Sequence, residues 1–265
     1  MKSILITGSS GYIGAHLVPV VAKEFPNALI SVCDVKNGQN YSDLKNHEFD
    51  LVFHLGAMSA IAGSSKAGDK FMEVNALGLI PFFLNNRVDR FVFSSTGAIY
   101  GERLVPALEE DVHWSDCKNP YSQSKYVAEG IIRHMCPNHV ITRFGNVFGG
   151  NAHLRVDTLS LTHFQKDDPI VVYGGDQMRD YVHVDIVCQA LLLVVTRGLK
   201  GTFNIANGES VRVGDLAEMF TKERGVPVIY KSAREEDVIS SKLDVTKARR
   251  LGLIPQEAPV NDYHA

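Results

Sequence analysis

The segment Gly8-Ser9-Ser10-Gly11-Tyr12-Ile13-Gly14 limits what this chain can fold into more than any other. It follows a short apolar run, KSILIT, and opens a stretch, GYIGAHLVPVVAKEF, whose apolar residues recur at helical spacing. Between a strand and a helix the glycines have separate duties: one permits the tight turn, another lets backbone approach a pyrophosphate, and the third lets the helix lie close to the strand. The helix N-terminus then offers N–H donors to the phosphates. Asp34 stands twenty residues beyond Gly14, at the end of the next strand candidate, ALISVCDV. A carboxylate there can accept hydrogen bonds from both adenosine ribose hydroxyls and repels a 2′-phosphate, so NAD is expected rather than NADP, with nearby Lys36 softening the preference. A structural glycine turn and a capping aspartate are the plainer alternatives. The agreement of two signals at the right separation favours the cofactor.

Further strand candidates are LVFHLG, RFVFSS, HVITRF and TFNIA, with helical stretches between them, notably from Tyr121 to about Met135. Such alternation predicts an α/β fold, a Rossmann-type doubly wound parallel sheet with helices on both faces. After Gly149 the alternation loosens into turn-rich sequence before DIVCQALLLVV. No Gly/Ser linker marks a boundary, so a smaller, interleaved C-terminal lobe is expected. Residues 1–147 with about 180–206 are assigned to the NAD-binding domain, and about 148–179 with 207–265 to the lobe.

A chain of 265 residues with 45% hydrophobic and 22% charged residues can bury a substantial core. A net charge of −3 supplies neither a basic field for nucleic acid nor a polybasic membrane anchor. The apolar runs are too short for a membrane span, and Met1-Lys2 leads straight into a strand, so a cytoplasmic protein is expected. Cys33, Cys117, Cys136 and Cys188 lack metal-ligand spacing and read as buried reduced thiols; no metal is implied.

Tyr121 and Lys125 stand four apart in YSQSK, on one face of the predicted helix. An ammonium beside the phenol favours phenolate, lowering a reference pKa of about 10 toward the range of a general base. Alone, such a pair is ordinary on a solvated helix. Here it follows the glycine turn and FSSTGAIYG, and HLGA, Asn75, RFGNVFGG, QMRDYVHVD, FNIANGES and LDVTKARRLGLIP occur in order. With these motifs the chain resembles, over nearly its whole length, the extended short-chain dehydrogenase/reductase family of nucleotide-sugar epimerases and dehydratases. Its motifs are most similar to those of UDP-hexose 4-epimerases.

The resemblance implies a nucleotide-sugar substrate, NAD and a homodimer joined through two helices per subunit, one beginning near Tyr121. It makes Tyr121 the base that removes the sugar hydroxyl proton and Thr96 the hydroxyl that binds the same oxygen. Lys125 would lower the Tyr121 pKa and contact the nicotinamide ribose. It assigns Gly8, Gly11, Tyr12, Ile13, Gly14, Asp34, Asp43, Leu44, Leu55, Gly56, Ala57, Asn75 and Ser94, with Tyr121 and Lys125, to the cofactor. Asn146, Arg179 and Arg234 would hold the nucleotide diphosphate, where the arginine fork suits paired phosphate oxygens. Seven positions beyond Arg234, family members restricted to plain hexoses carry a bulky residue, and Ser241 would leave room for an N-acetyl group.

Dehydratases of the family place acids after the threonine to eliminate water, whereas this chain has Gly97 and Ala98. An epimerase, which needs only reversible hydride transfer and rotation of a keto-sugar, is therefore expected. A nucleotide-sugar reductase or dehydratase and a non-catalytic NAD-binding regulator are the alternatives. Two departures stand out. The stretch from Asp34 to His54 is too short for the family's usual strand and helix, and Leu79 occupies the position of a threonine.

Overall fold

The computed structural model describes residues 1–59, 68–149, 169–233 and 238–256. Strand β1 (Ser3–Thr7) runs into α1 (Tyr12–Glu24) and β2 (Leu29–Cys33). A two-residue β3 (Glu48–Phe49) precedes β4 (Leu51–His54). Helix α2 (Gly68–Met72), a π-helical turn (Glu73–Leu77) and α3 (Leu79–Asn85) then lead to the short β5 (Arg87–Val88) and to β6 (Phe91–Thr96). After α4 (Pro120–Met135) come β7 (His139–Phe144) and β8 (Asn146–Phe148). The remainder is β9 (Ile170–Tyr173), β10 (Met178–His183), α5 (Val184–Thr196), β11 (Gly201–Ile205), β12 (Ser210–Arg212), α6 (Val213–Arg224), β13 (Val228–Lys231) and α7 (Thr246–Arg250).

Six strands form the main sheet in the order β11-β7-β6-β4-β1-β2, and every neighbouring pair is parallel. This is the doubly wound sheet expected from the alternating pattern. The strands are nearly continuous apolar runs because both faces are covered. Leu17, Val21, Val187, Leu191 and Val194 of α1 and α5 fill one side, and Phe82, Ala128 and Ile132 of α3 and α4 fill the other. Leu79, the residue in place of threonine, is fully buried in that second layer. Since the chain leaves β1 toward β2 and returns on its other side to β4, the sheet has its switch point between β1 and β4. Ligands of such sheets lie beyond the strand ends at that crevice.

The first crossover is as reduced as the sequence suggests. Between β2 and β3 lie two single 3₁₀ turns, Val35–Asn37 and Tyr41–Asp43, in place of a helix. The sheet therefore ends at β2, where Leu29 and Val32 remain 71% and 43% exposed.

A second, smaller layer consists of β12-β10-β8, the parallel pair β13-β9 and α6, around a core of Ile170, Val172, Tyr181, Val213, Leu216, Ala217 and Val226. Asp180, fully buried, ties it to the main sheet: its two carboxylate oxygens accept from Asn207 N (2.7 Å) and Gly208 N (2.9 Å) just after β11. All four cysteines are buried and free. Among the described residues no helix is long and apolar enough to cross a membrane.

Candidate active site

The loops at the switch point are in backbone contact. Gly8 adopts φ +67°, and a Cβ there would stand 2.6 Å from Gly56 N. At Gly14 a Cβ would meet Gly8 O at 2.1 Å, so α1 approaches the turn at a distance only glycine allows. Thr7 links the loops from below. Its Oγ1 accepts from Gly56 N at 3.1 Å and bonds His54 Nδ1 at 2.9 Å, and Leu55 N donates to Thr7 O at 3.2 Å. Ala57 follows on the same loop. Gly11 caps α1 in extended conformation with no side-chain cap bond, so the first-turn N–H groups around Tyr12 and Ile13 face the crevice end of the helix dipole.

Asp34 is buried, with Oδ2 accepting from Ser10 N and Oδ1 from Lys36 N, both at 2.9 Å. The cap role and the ribose role are therefore compatible: a carboxylate has about four acceptor sites, and two are used. Lys36 Nζ donates to Ser10 O at 3.3 Å beside it. Asp43 is exposed on the second 3₁₀ turn and Leu44 half-buried after it. Tight turn, uncapped helix start and buried carboxylate fit a dinucleotide: the first two could hold the pyrophosphate and Asp34 the adenosine ribose.

Asn75, in the π-helical turn, spends both amide hydrogens inside the protein. It donates to Met58 O (3.0 Å) and Ser124 Oγ (2.9 Å) and accepts from Met58 N (2.8 Å). It thereby clamps the loop after β4 to α4, beside Lys125.

Helix α4 starts where it does because Asn119 and Ser122 form a reciprocal capping box with Pro120 at the first turn. Its register against β6 sets the reactive groups. Lys125 Nζ donates to Ser94 O at 2.7 Å and lies 4.6 Å above the Phe93 ring. Thr96 lies near enough to Tyr121 for its hydroxyl to act on the phenol, and its Oγ1 caps the next turn by accepting from Ala98 N at 3.1 Å.

Burial sets the electrostatics of both reactive groups. Burial raises the Tyr121 phenol above its ordinary value, with the Thr96 hydroxyl pulling the other way. Burial also brings the Lys125 amine down to about 7, opposed by the negative charge of Glu129. In the protein alone desolvation dominates both groups.

Of the residues expected to hold substrate, Asn146 and Arg179 come from paired strands of the smaller sheet, Asn146 lying opposite Tyr181. Ser241 is half-buried alongside them, its N donating to Met178 O at 3.1 Å. Arg234 lies outside the described residues. Gly97 is buried, and a Cβ would meet Leu243 side-chain carbons at 3.0 and 3.1 Å and Phe144 O at 3.2 Å. An acidic side chain does not fit there without displacing Leu243.

Sequence reasoning missed the buried group behind these residues. Glu129 accepts from Ser95 Oγ (2.6 Å), from Arg143 Nε (2.9 Å) and Nη2 (2.6 Å), and from Arg133 Nη2 (2.8 Å). Arg143 Nη1 continues to Tyr100 OH at 2.8 Å. Its one legible signal was spacing, since Glu129 is one turn beyond Lys125 on the same face.

Known proteins share this arrangement of elements. A putative UDP-glucose 4-epimerase of Methanocaldococcus jannaschii is 28% identical, over 96% of this chain and 93% of its own. The crystal structure of UDP-glucose 4-epimerase from Thermotoga maritima with UDP-glucose superposes with a TM-score of 0.81 at 28% identity, covering 97% of this chain and 94% of that one. MoeE5 in complex with UDP-glucose and NAD gives 0.82 at 26%, covering 97% and 95%. The family model described as the NAD dependent epimerase/dehydratase family matches residues 4–206, and the chain belongs to that family.

Proposed function

We propose that the protein is an NAD-dependent epimerase of a nucleotide-sugar, acting at C4 of a UDP-hexose or UDP-N-acetylhexosamine through a transient keto-sugar. The observation that carries this reading is Tyr121 beside Thr96 at the sheet end, followed by a buried Gly97 at which even a Cβ would crowd Leu243. The similarity to UDP-glucose 4-epimerases supports it. When bound, NAD supplies a hydride acceptor that later returns the hydride. Thr96 orients the reacting hydroxyl, Tyr121 takes its proton and gives it back, and Lys125, with Ser94 as its carbonyl partner, carries the compensating charge. A dehydratase needs a second proton donor to release the sugar hydroxyl, and neither Gly97 nor Ala98 provides one.

In this reading Asn146, Arg179 and Arg234 hold the diphosphate, and residues about 148–179 with 207–265 form the nucleotide-sugar lobe. Ser241 borders the sugar and leaves room for an acetyl group. Ser241→Tyr is expected to penalise UDP-N-acetylglucosamine selectively over UDP-glucose, because overlap in a packed pocket cannot be relieved by rotation. Steady-state kinetics on both sugars tests this, and an equal effect on both removes Ser241 from the sugar site.

The active unit is a cytoplasmic homodimer. Leu77, Ile80 and Leu84 are 47%, 37% and 73% exposed and follow one another at near-helical spacing beside α4, an apolar line suited to a second copy. Light scattering is expected to give twice the chain mass at micromolar concentration. A monomer mass independent of concentration contradicts the dimer.

A further inference from the structure

Three consecutive residues at the end of β6 each meet a different turn of α4. Ser94 O accepts from Lys125 Nζ, Ser95 Oγ donates to Glu129, and Thr96 lies near Tyr121. Tyr121, Lys125 and Glu129 are spaced i, i+4, i+8, so one helical face presents phenol, amine and carboxylate in a row. Glu129 and Lys125 are 1% and 3% exposed. A carboxylate so deeply buried stays ionised only when its oxygens are satisfied by strong donors. Here Ser95, Arg143 twice and Arg133 satisfy them, and together they hold the Glu129 pKa below its ordinary value.

A structural ion pair between Glu129 and Arg143 would by itself account for a buried carboxylate, but two features go beyond it. Ser95, between the strand partners of Lys125 and Tyr121, is spent on Glu129. Apart from the two arginines bonded to Glu129, the titratable groups that face the pair are neutral: His54 on β4 is kept so by burial, near a pKa of about 3. Around Glu129, Tyr100 is pushed up to about 12 and Cys117 to about 11, so both stay protonated. Arg133, one turn on, and Arg143 on β7 bond Glu129 itself.

Resting on the reading of Tyr121 and Lys125 as the reactive pair, we propose that Glu129 is a positioning residue of the reaction, its fixed negative charge biasing the proton shared by that pair toward the amine. When the pair has lost one proton it exists either as phenolate with ammonium or as phenol with neutral amine, and only the first form can accept the sugar proton. Glu129 lies one turn from the amine and two from the phenol, so its charge favours the reactive form. Without it, the first proton of the pair leaves at lower pH and leaves from the wrong group.

The test uses full-length, NAD-loaded protein and two readouts. In protein labelled with ¹⁵N at the lysine amines, with Lys125→Met assigning the signal, the Lys125 midpoint is expected to fall by about one pH unit in Glu129→Gln. Glu129→Asp, which keeps the charge, is expected to stay close to wild type. In the kcat profile on UDP-glucose, Glu129→Gln should move the acid limb to lower pH and reduce the plateau about tenfold, the fold-change of one pKa unit. Should Glu129→Gln not fold because Arg143 has lost its partner, Glu129→Gln combined with Arg143→Met removes both charges; since Glu129 is the member of the pair whose charge acts on Lys125, the Lys125 midpoint is expected to fall in the same direction by a smaller amount. An unchanged Lys125 midpoint in whichever variant folds overturns the proposal and leaves Glu129 a structural anchor. Tyr121→Phe run alongside separates the two levels: if it retains turnover, the reading of the reactive pair fails, whereas its inactivity with an unmoved Lys125 midpoint removes only Glu129.

Discussion

Tyr121→Phe is expected to lower turnover by about two to four orders of magnitude, the range contributed by a positioned general base, while NAD and nucleotide-sugar binding stay close to wild type. The substitution removes one oxygen. The ring keeps its edge-on contact with Phe71, 6.4 Å between centroids, so the start of α4 and the Lys125–Ser94 bond are retained. Loss of rate without loss of affinity is the signature of a group that acts in the transition state. Single-turnover kinetics on cofactor-loaded protein, with binding measured separately by calorimetry, distinguishes this from misfolding. Near-normal turnover removes Tyr121 from the mechanism. The raised Tyr121 pKa and the depressed Lys125 pKa fix the direction of the pH dependence. A phenol that resists ionisation makes turnover rise with pH, and an amine that readily loses its proton limits the gain on the alkaline side.

Asp34→Ala has the second large effect, because one carboxylate has two duties. It leaves the N–H groups of Ser10 and Lys36 without the oxygens they now bond at 2.9 Å, and each such donor, where buried, costs about 1–3 kcal/mol. On the proposed reading it also removes the ribose acceptor and the charge that repels a 2′-phosphate. The expected result is a loss of NAD affinity of at least about a hundredfold, equivalent to about 2.7 kcal/mol, with weaker discrimination against NADP and a lower melting temperature. Titration with both cofactors and thermal unfolding measure the three together. An unchanged NAD preference would make Asp34 a cap and nothing more.

Much of this was legible from local pattern. The glycine turn, the strand-end Asp34 and the helix from Tyr121 depend on periodicity and on residues close in sequence, and β1, β2, β4, β6, β7 and β11 lie where their apolar runs do. The smaller layer was legible only as a loosening after Gly149, because its sheets pair distant short segments such as Ser210–Arg212 with Met178–His183. How deeply Tyr121 and Lys125 are buried was not legible at all. Spacing brings an amine near a phenol, but depth of burial is a tertiary property, and here it raises the phenol and lowers the amine. Asn75 shows the same limit: its position in a motif suggested the cofactor, whereas its bonds to Met58 and Ser124 give it a clamp's geometry. Gly97 shows the converse, since the missing acid was plain in the sequence and the close contacts with Leu243 and Phe144 show that a larger residue would crowd its neighbours.

The central claim is tested most directly by following UDP-glucose and UDP-N-acetylglucosamine by proton NMR in the presence of the protein and a catalytic amount of NAD. The C4 epimer of at least one of them is expected to appear, with the same equilibrium mixture reached from either epimer and the NAD unspent at the end. Accumulation of NADH in step with product, a dehydrated keto-sugar as the end product, or no conversion of either sugar would contradict it.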